Sequence, residues 1–282
     1  MRRAVPDEAE RAVRHACALA AVAVLAGCNT GPLEVAGADY PDAADGVANG
    51  VDPQIDPKLL PPGAPDRGIY LYWLFDSDSI TVVFDASGHH RDGQFLNLPT
   101  LSDAAPTARS NDERGLFFNG TGQAVAYTAD ISLTAFTFGL WVKPACSGAC
   151  RIFSFAGEAG EPSLTLDIDA AGVLELDASV PSAAGTQPCT ACAVGVTPLM
   201  NEHWYYVAAS VDAAGQARLF VDAVEDASAT GVWLPSPTQR FTLGSDSNMV
   251  PAGFRGVLDE AILYDWVVPT ADLVRLAASA SP

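Results

Sequence analysis

Short apolar segments separated by turn residues fill most of the chain, and within many of them apolar and polar side chains alternate. Phe136, Phe138 and Leu140, for example, share one face of a single segment. A period of two is typical of β-strands that bury one side. The predicted strands are Ile69–Phe75, Ile80–Phe84, Gly115–Phe118, Phe136–Val142, Ile152–Phe155, Leu164–Ile168, Val173–Ala178, Trp204–Val211, Ala217–Val221, Arg240–Leu243 and Gly256–Leu263. Together with one helical stretch after Pro269, they predict an all-β, antiparallel two-sheet sandwich of the jelly roll type.

Two turns of the same design predict how neighbouring strands pair. Asp169–Gly172 and Asp212–Gly215 both have the sequence Asp-Ala-Ala-Gly. Asp stands at the start of a type I turn, and Gly stands where a positive φ is required. This three-residue hairpin loop fixes the register of its two strands. Around the first turn it places Ile168 opposite Leu174 on the buried face.

The same register places carboxylates opposite each other on the outer face. Asp167 lies opposite Glu175, and Thr165 lies opposite Asp177. Like charges directly across a ladder are destabilising. We therefore expect a basic neighbour, exposure to solvent or a bound cation to compensate. Exposed carboxylates screened by salt are the simplest of these explanations.

The N-terminal segment is typical of an export signal. Arg residues precede an apolar run, Ala16–Ala26, which is too short to span a bilayer as a helix. The sequence Leu25-Ala26-Gly27-Cys28 resembles the lipobox of bacterial lipoproteins. This resemblance implies a signal peptide over residues 1–27 and a lipid anchor at Cys28, and Asn29 implies the outer membrane, with the domain periplasmic or surface-exposed. Acidic residues before the apolar run favour the alternatives, an ordinary secretory signal or an N-terminal core helix.

Residues 28–68 are predicted to form a linker. They have no sustained apolar period, and Asp-Pro and Pro-Pro-Gly sequences interrupt any helix or strand. Pro favours an extended backbone, and repulsion between Asp side chains extends it further. We interpret the segment as an acidic tether that holds the domain away from a membrane. A calcium-binding loop is the alternative, but the Asp spacing does not match an EF-hand.

The chain is strongly acidic, and its charge limits the partners it can bind. It has 15 Lys and Arg residues against 34 Asp and Glu residues, for a formal net charge of −19. Nucleic acids and anionic membrane surfaces both attract clusters of basic residues. No such cluster follows the N-terminal segment. The composition therefore argues against nucleic acid as a partner and leaves the lipid anchor as the predicted contact with a membrane.

Eight short motifs follow one another in an order that a known family shares. They are Asp85–Gly88, Gly93–Asn97, Gly115–Gly120, Phe136–Pro144, Trp204–Ala208, Leu219–Asp222, Leu243–Gly244 and Phe254–Tyr264. In this order they resemble the LamG-like jelly roll of the concanavalin A-like lectin/glucanase superfamily, over residues 69–278. One position departs from the family pattern, because Ala223 stands where the family usually has Gly.

The resemblance also implies a structural Ca²⁺ ion near the meeting of the first and last strands. The family draws ligands from the Asp-x-Ser-Gly turn and from a late Asp-Glu pair, and the matching positions are Asp85 and Asp259. Ca²⁺ takes six to eight oxygen ligands, for which carboxylates are suited. The alternative is that Asp85 caps its own turn and that Asp259 pairs with an Arg such as Arg255.

A glycoside hydrolase is the catalytic alternative that the superfamily offers. Retaining enzymes need two carboxylates about 5 Å apart, which Glu-x-Asp-x-Glu places on one strand face in the superfamily's glucanases. The segment Glu175–Ser179 has the first two carboxylates and lacks the third, which is the acid/base. His89, His90 and His203 follow the signal segment, and none lies in a nucleophile motif. We therefore predict that the protein is not an enzyme.

The six cysteines divide by position. Cys17 precedes the predicted cleavage site, and Cys28 is the predicted anchor. Those that remain are Cys146, Cys150, Cys189 and Cys192. Their spacing also fits a zinc site, but an oxidising compartment favours disulfides. Of three connectivities we favour Cys146–Cys150 and Cys189–Cys192, because the strand count places the two loops at opposite ends of the sandwich, and a bridge needs Cα atoms within about 7 Å.

One tryptophan is a candidate for contact with a ligand. Trp233 lies between Gly231 and Pro235 in a predicted loop, where its ring can stack on a sugar or cover the edge of the core. We predict a membrane-anchored extracytoplasmic lipoprotein whose LamG-like domain is a non-catalytic binding module for a glycan or a cell-surface protein. The alternatives are a glycoside hydrolase or lyase and a purely structural envelope protein, because this fold carries many functions.

Overall fold

Two antiparallel β-sheets lie face to face, as the alternating pattern predicts. A computed structural model describes residues 55–56, 59–106, 114–156, 162–178, 180–182, 185–187, 192–232, 238–245 and 253–278. Within these ranges the strands are β1 (Ile69–Trp73), β2 (Val82–Val83), β3 (Gly93–Leu96), β4 (Thr100–Ser102), β5 (Gly115–Asn119), β6 (Ala124–Ile131), β7 (Phe136–Pro144), β8 (Cys150–Ala156), β9 (Pro162–Ile168), β10 (Leu174–Ala178), β11 (Val180–Ser182), β12 (Gly185–Gln187), β13 (Ala193–Val194), β14 (Tyr205–Val211), β15 (Ala217–Val221), β16 (Val224–Ala229), β17 (Thr238–Leu243) and β18 (Arg255–Tyr264). The helix α1 (Thr270–Ala277) follows Pro269, as predicted.

Each sheet has eight strands. The first has the order β16-β15-β14-β7-β18-β5-β4, with β1 also paired to β18. The second has the order β13-β10-β9-β8-β17-β6-β3-β2, and β11 and β12 form a separate pair. Non-consecutive strands are neighbours in both sheets, which is the connectivity of a jelly roll. The predicted fold class is therefore confirmed.

The core between the sheets is rich in aromatic side chains. Phe241 on β17 lies at its centre, fully buried. Its ring centroid is 5.0 Å from that of Phe155 in the same sheet and 5.4 Å from that of Phe138 in the other sheet. Trp73 on β1 adds a contact at 5.7 Å. Because aromatic side chains bury the largest apolar areas, this cluster holds the two sheets together.

The predicted register of β9 and β10 is confirmed. Ile168 pairs with Leu174 and Asp167 pairs with Glu175. In the turn between these strands, the Gly172 N–H donates to the Asp169 carbonyl at 3.0 Å, and Gly172 has a φ of 83°. The turn at Asp212–Gly215 has the same hydrogen bond and the same positive φ at its Gly. The Asp-Ala-Ala-Gly sequence therefore forms the same hairpin loop twice.

The outer face of the first sheet carries a second apolar layer. Leu60 and the α1 residues Leu273 and Leu276 are buried there against Tyr72 and Tyr264. The Tyr72 hydroxyl donates to the Leu59 carbonyl, and the Tyr264 hydroxyl donates to the Pro65 carbonyl, both at 3.1 Å. Residues 59–68, which the sequence places in the linker, thus pack on this sheet. A proline-rich sequence does not indicate such packing. Backbone carbonyl groups and isolated apolar side chains make the contacts, and neither produces a regular sequence pattern.

One carboxylate joins the edge strands of the two sheets. Asp226 lies at an irregularity of β16, the edge of the first sheet. Its carboxylate accepts hydrogen bonds from the Val196 and Thr197 N–H groups, each at 3.0 Å, and from the Thr197 hydroxyl at 2.5 Å. The segment that contains Val196 and Thr197 follows β13, the edge of the second sheet. The two edges are therefore linked through a side chain.

Candidate functional site

A pocket opens at one end of the sandwich, between three loops. These loops connect β7 to β8, β9 to β10, and β13 to β14. The pocket has a volume of about 300 Å³. Its walls include Ser147, Gly148, Asp169, Ala171, Leu199 and Asn201. Backbone groups and small side chains therefore make up much of its surface.

A disulfide forms one wall of this pocket. Cys146 and Cys150 are bonded, with a Cα–Cα distance of 6.2 Å. This pairing confirms the predicted one, but the placement of the two loops at opposite ends of the sandwich was wrong. Asn201, in the loop that leads to β14, donates a hydrogen bond to the Cys146 carbonyl. Cys192 is also disulfide-bonded, while Cys189 lies outside the described residues, so the pairing of Cys189 with Cys192 stays a prediction.

Hydrogen bonds between the loops fix the shape of the pocket. The Glu202 N–H donates to the Pro144 carbonyl at 2.8 Å, and the Asn201 side-chain amide donates to the Cys146 carbonyl at 3.0 Å. On the other side, the Leu199 N–H donates to the Gly172 carbonyl at 2.8 Å. These bonds connect all three loops. The pocket is thus held in one geometry before any ligand arrives, which lowers the ordering cost of binding.

Five of the eight non-glycine residues with a positive φ in the described ranges lie in loops at the same end of the sandwich. Asn97, Leu98, Glu202, Asp222 and Ala223 all lie in loops there, and all have φ values between 48° and 64°. For non-glycine residues such conformations cost about 1–3 kcal/mol each, and they cluster at functional sites. Ala223 occupies this conformation where the family usually has Gly. Leu98 is unusual because it is also 60% exposed.

The outer face of the second sheet carries the predicted row of charges. The Arg151 Nε and Nη2 atoms donate to the two Asp167 carboxylate oxygens at 2.8 and 3.0 Å. Asp167 in turn lies opposite Glu175. Of the three compensations expected from the sequence, the structure therefore contains the basic neighbour. Burial, followed by the neighbouring carboxylates, raises the pKa of both Glu175 and Asp177.

Replacing Glu175 by Gln is expected to stabilise the fold at neutral pH. Folding raises the pKa of Glu175. Its contribution to stability is therefore fully present below the ordinary glutamate pKa of about 4.3, and it is lost as the pH rises through the higher pKa of the folded protein. Glu175→Gln should therefore raise the free energy of unfolding at pH 7 by about 0.2–1 kcal/mol. The difference from the unmodified protein should vanish below pH ~4. Urea unfolding at both pH values measures it.

The matched control for this experiment is Glu225→Gln. Glu225 is exposed on the edge strand β16, away from the row of carboxylates, so its replacement should change the stability by less than about 0.5 kcal/mol. A destabilised Glu175→Gln protein at pH 7 would mean that the carboxylate makes a favourable contact instead.

Asp85 is held by the backbone around its own turn. Its Oδ1 atom accepts hydrogen bonds from the N–H groups of Tyr72 at 2.8 Å and Ser87 at 3.0 Å. Its Oδ2 atom accepts from the Ser87 hydroxyl at 2.7 Å and from the Arg91 N–H at 3.0 Å. These four bonds support the alternative in which Asp85 caps its turn.

Asp259 lies in β18 and is fully buried. Its Oδ1 atom accepts a hydrogen bond from the Glu260 N–H at 2.8 Å. Strand β1 separates Asp259 from Asp85, because Trp73 pairs with Ala261 of β18 on one side and bridges to Asp85 on the other. In the part of the chain that the structure describes, no group of three or more His, Cys, Asp or Glu residues is placed to hold a metal ion. The Ca²⁺ ion stays a prediction.

Three predicted site residues, Cys28, Cys189 and Trp233, lie outside the described residues. No helix within the described ranges is both long enough and apolar enough to cross a membrane. No sequence motif indicates the pocket residues Gly148 and Asn201. Their sequence context is ordinary loop, and only the fold brings their loops together.

The architecture and the pocket define an antiparallel β-sandwich with a ligand-sized cavity among its end loops. Residues 118–273, more than half of the chain, match the Laminin_G_3 family of the Concanavalin A-like lectin/glucanases superfamily. The chain belongs to this family. A comparison with curated protein sequences found no match.

Several solved structures share the fold. The sialidase of Trypanosoma rangeli in complex with sialic acid has a TM-score of 0.56 at 17% identity, over 77% of this chain and 33% of that chain. Domain 4 of a GH43 extracellular arabinanase from Geobacillus stearothermophilus, in complex with arabinotriose, has a TM-score of 0.51 at 19% identity, over 74% of this chain and 98% of that domain. The receptor-binding domain of botulinum neurotoxin type G has a TM-score of 0.54 at 10% identity, over 75% of this chain and 51% of that chain.

These identities establish a common fold alone. This chain also spans only about a third of the length of the sialidase chains that it matches.

Proposed function

We propose that this domain is a non-catalytic carbohydrate-binding module and that its ligand occupies the pocket between the end loops. The observation that carries the proposal is the preformed pocket itself, with walls joined by hydrogen bonds and a disulfide. We further propose that the module belongs to an extracytoplasmic lipoprotein, held at the outer membrane through Cys28. The lipobox-like sequence before Cys28 supports this second part.

The chemistry of the pocket suits sugar hydroxyl groups. The exposed Ser147 hydroxyl and the carboxamide oxygen of Asn201 offer a donor and acceptors at the rim. Buried Ile168 and Leu199 add apolar surface to the wall. The accessible surface of the pocket is more polar than apolar, which suits a ligand rich in hydroxyl groups. The arabinotriose complex of the arabinanase domain supports the choice of carbohydrate.

The charged row on the second sheet supports a non-catalytic function. Glycoside hydrolysis requires one carboxylate as nucleophile or base and another as acid. Glu175 and Asp177 provide two carboxylates on β10, but the ion pair between Arg151 and Asp167 is adjacent to both. Ser179 takes the position of the third carboxylate. We therefore keep the hydrolase or lyase as the alternative rather than the proposal.

A protein ligand is a second candidate for the same end of the domain. Leu98 is 60% exposed and Met200 is 57% exposed, both in end loops. A protein partner could cover such exposed apolar side chains on binding. The receptor-binding domain among the similar structures is consistent with this candidate.

The carbohydrate proposal predicts that Asn201→Ala weakens glycan binding. The purified full-length protein should bind glycans on a printed array, and the bound glycan should then be titrated in solution by calorimetry. Loss of the Asn201 side chain removes a rim hydrogen-bonding group and a bond between two loops. Because one hydrogen bond contributes about 0.5–1.5 kcal/mol, we expect affinity to fall roughly three- to tenfold.

The control is Thr230→Ala, an exposed residue after β16 at the opposite end of the sandwich. It should bind as the unmodified protein does. Equal affinities in all three proteins would place the ligand elsewhere on the domain. Absence of binding to every array glycan would contradict the carbohydrate proposal and leave the protein-ligand candidate.

A further inference from the structure

We propose that the ligand of the end-loop pocket is an uncharged sugar, and that sugars carrying a carboxylate are excluded. This inference rests on the proposed function and specifies the class of glycan. The Trypanosoma rangeli sialidase, of which this chain matches a third, binds sialic acid, which carries a carboxylate. The arabinanase domain, which it matches almost completely, binds arabinotriose, which carries none.

Among the described residues that line it, the pocket has one negative charge and no positive one. No Lys or Arg is among the described residues of its lining, and Asp169 is the one lining residue among them with an ionisable side chain. The Oδ1 atom of Asp169 accepts hydrogen bonds from the Ala171 N–H at 2.7 Å and from the Val173 N–H at 3.0 Å. These bonds fix the carboxylate in place. An anionic ligand would approach a like charge that cannot move away.

The basic residues near the pocket are engaged or directed elsewhere. Lys143 precedes the lining residue Pro144, but its Nζ atom lies 3.3 Å from the Glu202 carboxylate. Arg151 follows Cys150 in the chain, and its guanidinium forms a bidentate ion pair with Asp167. The Arg255 side chain lies against Gly120, which is not part of the pocket wall. Recognition of a sugar carboxylate ordinarily uses Arg or Lys in direct contact, and the described residues of the pocket lining include neither.

The size of the pocket agrees with a short sugar. Its volume of about 300 Å³ equals that of roughly ten water molecules at ~30 Å³ each, which is the size of one sugar residue. The hydroxyl groups of such a residue can both donate to and accept from the backbone and amide groups of the walls. The long-range field is also unfavourable to anions, because the chain carries a net charge of −19.

The test compares probes that differ in charge. Calorimetry at low ionic strength would titrate the full-length protein with arabinotriose, lactose and 3′-sialyllactose, together with the acidic and neutral members of any glycan pair bound on the array. We expect each neutral glycan that binds to do so at least about tenfold more tightly than its acidic counterpart. Salt should reduce this preference by screening the repulsion.

A pair of variants tests the same inference from the protein side. A Cβ atom added at Gly148 would meet no other atom within 4 Å, so this wall position accepts a side chain without displacing its neighbours. Gly148→Lys should increase the affinity for the acidic glycan several-fold relative to Gly148→Gln, which has a similar length and no charge. The two variants should have the same affinity for the neutral glycan.

The outcomes separate this inference from the proposed function. Tighter binding of the acidic glycan by the unmodified protein would overturn the inference and leave the binding function intact. Equal binding of acidic and neutral glycans would also overturn it. Binding of no glycan of either class would overturn both together.

Discussion

Replacing Phe241 by Ala is expected to lower the free energy of unfolding by about 3–5 kcal/mol. The Phe241 ring is fully buried and lies within 6 Å of the rings of Phe155, Phe138, Trp73 and Phe153. Phe138 and Trp73 belong to the opposite sheet. The substitution therefore opens a cavity where the two sheets meet. Rigid strands on both sides prevent this cavity from collapsing.

Urea unfolding, followed by tryptophan fluorescence, would measure the loss. Phe84→Ala is the matched control, because it deletes the same side chain from a site that is 42% exposed. Its cost should stay below about 1 kcal/mol. A similar loss in both variants would mean that Phe241 is no more important to the core than a surface phenylalanine.

Replacing Asp85 by Ala is expected to destabilise the domain by at least about 2 kcal/mol. The substitution leaves the N–H groups of Tyr72, Ser87 and Arg91 without their acceptor. Hydrogen bonds to a charged acceptor contribute about 1.5–3 kcal/mol each when they are protected from water. Asp85→Asn keeps one acceptor oxygen and should therefore lose less than Asp85→Ala.

The same variants decide between the turn cap and the Ca²⁺ ion. Thermal unfolding should be measured with added Ca²⁺ and with excess EDTA. If Asp85 acts as a cap, the melting temperature falls equally under both conditions in Asp85→Ala, and the unmodified protein is insensitive to EDTA. If the unmodified protein melts lower in EDTA and Asp85→Ala does not respond, Asp85 is a calcium ligand.

The sequence predicts the fold where short-range rules apply. Alternation predicts the buried faces of strands such as β7, and the repeated Asp-Ala-Ala-Gly turn predicts the register of β9 and β10. The predicted bond between Cys146 and Cys150 joins residues four positions apart. Each of these features depends on residues that are close in sequence, so the pattern contains the information required.

Other features could not be predicted, because the residues that produce them are far apart in sequence or have little intrinsic preference for the structure they adopt. The strands β6 and β16 are rich in Ala and acidic residues, which have low β propensity, and pairing with neighbours makes them strands. The pocket depends on three loops separated by as many as fifty residues. The packing of residues 59–68 depends on tyrosine hydroxyls supplied by β1 and β18.

The hydrogen bonds of Asp226 hinder strand pairing between different molecules. An unprotected edge strand offers N–H and C=O groups to any extended chain nearby and is a common starting point for aggregation. Here one edge of each sheet, β16 and the segment after β13, meets across the Asp226 carboxylate, so a foreign strand would first have to displace its three hydrogen bonds. Copies of the domain that touch at this side are therefore hindered from joining their sheets.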